Sequence, residues 1–215
     1  MRKTMPVSAP RVFIPALLFC FLASCAGPVY VAKTQDEAVR KSYDDPGLSR
    51  LSATYQPALD SIYDRYQAAG IDTYPQGLGF TVVSDEEGAK HSYLLVEVRP
   101  RDIMFGEVQT KPQERFSEVF DHHLEQNLRY MRAEDVDRMQ GVDGLAFGVF
   151  WPVRDLSQCD KYGGFIEYMI VYLPKTDVDD YLAGSISLAE AVRTAEVVTS
   201  LNRKPAESVH VVVEK

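Results

Sequence analysis

Cysteine, histidine and tryptophan are scarce in this 215-residue chain, which has three, four and one of them. Cys20 and Cys25 both fall near the amino terminus, so Cys159 stands alone in the rest and no disulfide framework can be built. It reads either as a buried, inert thiol or as a reactive one. Basic residues are also short, 23 against 31 acids. Phosphate binding needs clustered Lys and Arg, so a nucleic-acid partner is excluded. No apolar run approaches the roughly 20 residues that a membrane-spanning helix needs. There is no Walker-type loop, no dinucleotide glycine motif and no Gly-x-Ser-x-Gly elbow. No catalytic residue, cofactor or metal site is therefore assigned. What is present is enough apolar material, 46% of residues, for one ordinary core.

The amino terminus is the most informative stretch. Arg2, Lys3 and Arg11 precede an apolar run of about a dozen residues, Val12 to Ala23, interrupted by Pro15. A basic start and a short apolar core make a signal peptide rather than a span. The run ends in Leu22-Ala23-Ser24-Cys25, which resembles the lipobox of bacterial lipoproteins. The resemblance covers about the first 27 residues and implies no fold. It implies cleavage between Ser24 and Cys25, a diacylglycerol on the Cys25 sulfur and an acyl group on the new amine. Several acyl chains together give durable membrane attachment. In Gram-negative members an aspartate after the cysteine favours the inner membrane. Ala26 stands there instead, which implies a lipid-anchored outer-membrane location facing the periplasm. Residues 1–24 contain no acid, so the remainder has three basic residues fewer and a net charge of −11, against −8 for the whole chain.

Residues 25–45 read as a lipidated tether and 46–215 as one α+β domain. Asp45-Pro46 opens a helix with Leu48, Leu51, Tyr55, Leu59, Ile62 and Tyr66 on one stripe, a kink at Pro57 and a stop at Gly70. Strands are expected at 78–84 and 92–99, joined by an acidic turn ending in Gly88, with a short strand in 103–108. Thr110-Lys111-Pro112-Gln113 resembles a capping box. Its helix would place Phe116, Phe120, Leu124, Leu128 and Met131 inward. A second hairpin is expected from 145–153 and 165–173, then a short helix from Thr176. A longer helix is expected from the box Ser187–Glu190 to about Arg203, and a closing strand over 208–213. Gly77-Leu78-Gly79-Phe80 echoes Gly144-Leu145-Ala146-Phe147, which reads as two helix–hairpin repeats or as chance likeness. Helices alternating with hairpins imply an antiparallel sheet with helices on one face.

Two features could carry function. On a regular helix Glu118, His122 and Glu125 would share a face, where a carboxylate–imidazole metal site is geometrically possible. The plainer reading has His122 exposed beside acids and His123 at the core edge. The 12 tyrosines cluster around the first helix (Tyr55, Tyr63, Tyr66, Tyr74) and the last hairpin (Tyr162, Tyr168, Tyr172, Tyr181). Tyrosine suits core packing or a half-wet contact surface for a partner or glycan. The expected function is a membrane-anchored, non-enzymatic envelope module that binds another envelope protein. The alternative is a ligand-binding or hydrolytic domain acting on envelope material.

Overall fold

Residues 41, 43–85, 87–154, 164–209 and 211 are described by the computed structural model. The signal segment, Ser24, Cys25, Cys159, Tyr162 and His210 lie outside the described residues.

Helix α1 spans Pro46–Ala68. The Asp45 carboxylate accepts from the Gly47 and Leu48 N–H groups at 2.7 and 3.0 Å, and proline occupies the first turn, where its missing N–H costs nothing. Pro57 breaks the helix where its ring would strike the preceding turn, and Tyr55 leaves helical geometry there. Leu59, Ile62 and Tyr66 are fully buried, and Gly70 stops the helix at φ +74°. Strands β1 (Asp72–Ser84) and β2 (Lys90–Arg99) form the first hairpin. Asp85 closes its turn by accepting from the Glu87 and Ala89 N–H groups. Strands β4 (Gly144–Arg154) and β5 (Gly164–Pro174) form the second. Strands β6 (Glu196–Ser200) and β7 (Glu207–Val209) extend the sheet beyond β5, and short β3 (Phe105–Gly106) continues the track of β2 along β4.

Among the described residues this is a seven-stranded, mostly antiparallel sheet with five helical segments packed against it. The expected α+β class holds, with one addition. The hairpins join through a parallel seam, Tyr93–Val98 of β2 against Gly144–Val149 of β4. The helix–hairpin order occurs twice, and Leu78 and Leu145 open both hairpins on one face. The hairpins differ in hand. β1 and β4 run in opposite directions, yet each has its partner strand on the same side, so neither can be rotated onto the other with the core face kept inward.

The second helical segment comprises α2 (Pro112–Glu118), a π-helical stretch (Val119–Leu124) and α3 (Glu125–Leu128). The wider π turn shifts the buried stripe. Arg115, Val119 and Leu124 point inward, whereas Phe116 and Phe120 are half-buried and stack on each other at 5.8 Å. The expected box at Thr110 is displaced by one residue. The Lys111 N–H donates to Glu114, while the Thr110 hydroxyl donates to the Gly106 carbonyl. Helices α4 (Ala133–Asp137), α5 (Lys175–Leu182) and α6 (Leu188–Ala191) complete the layer.

The long helix expected after Ser187 is a correction. The Ser187–Glu190 box forms, but α6 stops at Ala191 and Glu196–Ser200 is strand β6. Val197 and Thr199 are buried on the core side, so burial of a β-branched alternation overrides the local helix start.

Arg115, inside the core, pairs with Glu167, the two being 1% and 0% exposed. The Glu167 carboxylate accepts two hydrogen bonds from that guanidinium at 2.6 and 2.8 Å, one from Trp151 Nε1 at 2.9 Å and one from the Asn202 N–H at 2.7 Å. One carboxylate thereby ties α2, β4, β5 and the turn after β6.

Candidate functional site

Strand alternation assigns every sheet side chain to one of two faces. Leu94, Val96, Val98, Leu145, Phe147, Val149, Val171 and Val197 join the helices in one core. The opposite face carries Tyr93, Leu95 and Glu97 of β2, then Gly144, Ala146, Gly148 and Phe150 of β4. Tyr168, Ile170 and Tyr172 of β5 continue it. Leu95, Ala146 and Phe150 are buried here yet stand apart from the helical core, so this face carries an apolar layer of its own. Among the described residues no helix packs on it.

The chain enters along one margin of this face. The Lys41 side chain lies over Gly79 of β1, and Tyr43 wraps the edge so that its phenol oxygen accepts from the Phe80 N–H at 2.7 Å. Any Cβ at residue 79 would meet that oxygen at 2.1 Å, which accounts for glycine there. The chain then reaches Asp45 on the helical side.

Aromatic rings bracket the centre. Tyr74, Phe150 and Tyr168 form a continuous stack with centroids 4.2 and 5.0 Å apart. Tyr93 meets Tyr172 edge-on at 5.4 Å. Tyr74 belongs to an irregular stretch of β1: the register passes from Thr73 opposite Val98 to Leu78 opposite Val96, leaving residues 74–77 to loop beside Glu97. Gly77 and Gln76 make that loop possible, Gln76 at φ +56° and Gly77 pressed against the Glu97 Cβ.

Glu97 lies between the two aromatic groups. Gly148 opposite it has no side chain, and a Cβ there would meet Glu97 Cγ, Phe150 Cε2 and Ile170 Cγ1 at 3.0, 3.1 and 3.3 Å. The glutamate stem therefore lies flat across the glycine. Its carboxylate makes no hydrogen bond or ion pair with any described residue. Burial pushes the carboxyl up from 4.5 to about 7, with the Lys41 charge pulling weakly the other way. Burial and nearby acids push the Tyr172 hydroxyl up to about 12, so it remains a neutral donor.

The tyrosines divide between the faces. Tyr55 and Tyr66 turn to the core, with Tyr66 donating to the Asn127 carbonyl, while Tyr74, Tyr168 and Tyr172 gather on the face opposite the described helices. Glu97 and Tyr93 were missed as site residues. The signal was present: Glu97 interrupts the apolar alternation of β2, and Gly148 sits inside a strand, a mark of close approach. Glu118, His122 and Glu125 are exposed, and the π turn breaks the spacing that would align them. Among the described residues no three His, Cys, Asp or Glu side chains are grouped to hold a metal ion. A small cavity of about 210 Å³ is lined by Gly70, Arg101, His123 and Tyr130, but Arg101 is already committed to Asp72 at 2.6 and 2.9 Å.

Comparison with protein-family models, curated proteins and solved structures finds no match for this chain.

Proposed function

We propose that this chain is a membrane-anchored envelope lipoprotein whose folded domain is a non-enzymatic binding module, with the sheet face opposite the described helices as its contact surface. One observation carries the choice of face: six aromatic or acidic side chains, Tyr74, Tyr93, Glu97, Phe150, Tyr168 and Tyr172, converge on the side of the sheet where no described helix packs. Aromatic anchors around a desolvated polar group characterise protein contact surfaces. The membrane address rests on Leu22-Ala23-Ser24-Cys25. No described helix is long and apolar enough to cross a membrane, and the lipid on Cys25 would supply the attachment. Its partner would be another envelope protein.

Site-specific photocross-linking in native envelopes tests this reading. Benzoylphenylalanine replaces Tyr168 on the proposed face or the exposed Thr54 on α1. A recurrent protein adduct of one mass from position 168, and none from position 54, is expected. No adduct at 168, or the same yield from both positions, would contradict the proposal.

A further inference from the structure

We propose that Glu97 seats a lysine or arginine side chain of the partner polypeptide. The inference rests on the binding-module reading and specifies what the module takes.

The two buried or half-buried glutamates of the sheet make the case by contrast. On the core side, Glu167 is met by four donors. The same residue type on the other face, Glu97, has none among the described residues, although Gly148 and Ile170 hold its stem against the sheet. Desolvating a carboxylate without partners is costly, so its place at the centre of the face calls for a cation supplied from outside. The surroundings select the kind of cation. The Tyr74–Phe150–Tyr168 stack and the Tyr93–Tyr172 pair flank the carboxylate. Aromatic walls accommodate the long apolar stem of Lys or Arg and add cation–π attraction at its head. Gly144 and Gly148 on β4 let the Tyr93 ring and the Glu97 stem lie close against the sheet, which fixes where the carboxylate sits. The chain's net charge of −8 favours a basic approach and repels an acidic one. Among the described residues, the charged and titratable groups around Glu97 are Lys41 before α1, Tyr93 on β2, Tyr168 and Tyr172 on β5 and, beyond them, Glu196 on β6. Lys41 is the one described cation acting on Glu97, and it forms no ion pair there.

The test selects displayed random short peptides on the full lipidated chain in detergent micelles at pH 8, with empty micelles subtracted. Enriched peptides are expected to share a Lys or Arg within an apolar or aromatic context. Their affinity should fall about tenfold in the Glu97→Gln variant and stay unchanged in Glu118→Gln, which removes an equal charge from the exposed helical side. Wild-type affinity should fall comparably between pH 8 and pH 5.5, with no such fall in Glu97→Gln. Thermal unfolding of both variants verifies that they are folded. Enriched peptides without a basic residue, or equal binding by Glu97→Gln, would overturn this inference while leaving the binding-module reading in place. The same holds for tighter capture of a neutral oligosaccharide than of any peptide. No ligand enriched above empty micelles would overturn both.

Discussion

Replacing Glu167 with alanine is expected to lower the unfolding free energy by about 3–5 kcal/mol. The loss has three parts. The Arg115 guanidinium, 1% exposed, is left as an uncompensated buried charge. Trp151 Nε1 and the Asn202 N–H lose their acceptor. The turn after β6 also loses its tie, although Asn202 and Arg203 sit at φ +52° and +61°, a conformation that side chains other than glycine adopt reluctantly. Urea unfolding of the full chain in a fixed detergent measures the effect as a lower midpoint at constant slope. The double variant Arg115→Leu, Glu167→Leu should lose less than the single one, because no charge is then stranded. A single-variant cost below about 1 kcal/mol would mean that this pair does not hold the helical layer to β5.

The second large effect has the opposite sign. Glu97→Gln is expected to stabilise the fold by about 1–3 kcal/mol at pH 8 and to change little at pH 4. In the folded chain this carboxyl holds its proton up to about 7, against 4.5 ordinarily. The unfolded chain therefore releases the proton first as pH rises. Between about 4.5 and 7 the folded state binds more protons, so the wild type loses stability across that window and levels off above it. Unfolding of wild type and variant at pH 4, 6 and 8 checks this: the two curves should diverge with rising pH, and parallel curves would contradict it. A carboxylate that costs stability at neutral pH and has no hydrogen-bond or ion-pair partner among the described residues is the kind of position retained for a binding role; the proposed contact would give Glu97 that role.

These two glutamates also mark where the sequence was legible. Local signals with one geometric outcome were readable. Asp45-Pro46 capped α1, Pro57 kinked it, and the acidic turn before Gly88 closed the first hairpin. Non-local outcomes were not. The parallel seam joins β2 to β4 across the whole α2 region, and no residue in either strand announces its neighbour. At the Ser187 box a correct local signal was outweighed by burial of Val197 and Thr199. The π turn hid Arg115, because a 3.6-residue period puts Phe116 and Phe120 inward and leaves the arginine outside. The tyrosine excess was visible, but its division between faces depended on strand register, which a shift of one residue inverts. Glu97 could have been flagged as an acid inside an apolar strand. That no described residue donates to it emerged only with its neighbours in place.

A contact face of this kind acts on its surroundings only if the chain is held where the partner is, and Cys25 carries that part of the account. Mass spectrometry of the amino-terminal peptide of the mature, membrane-extracted protein tests it most directly. The expected peptide begins at Cys25 and carries both a diacylglyceryl thioether and an amide-linked acyl chain. A mature terminus at any other residue, or an unmodified Cys25, would contradict the anchoring and remove the basis for placing the module in the envelope.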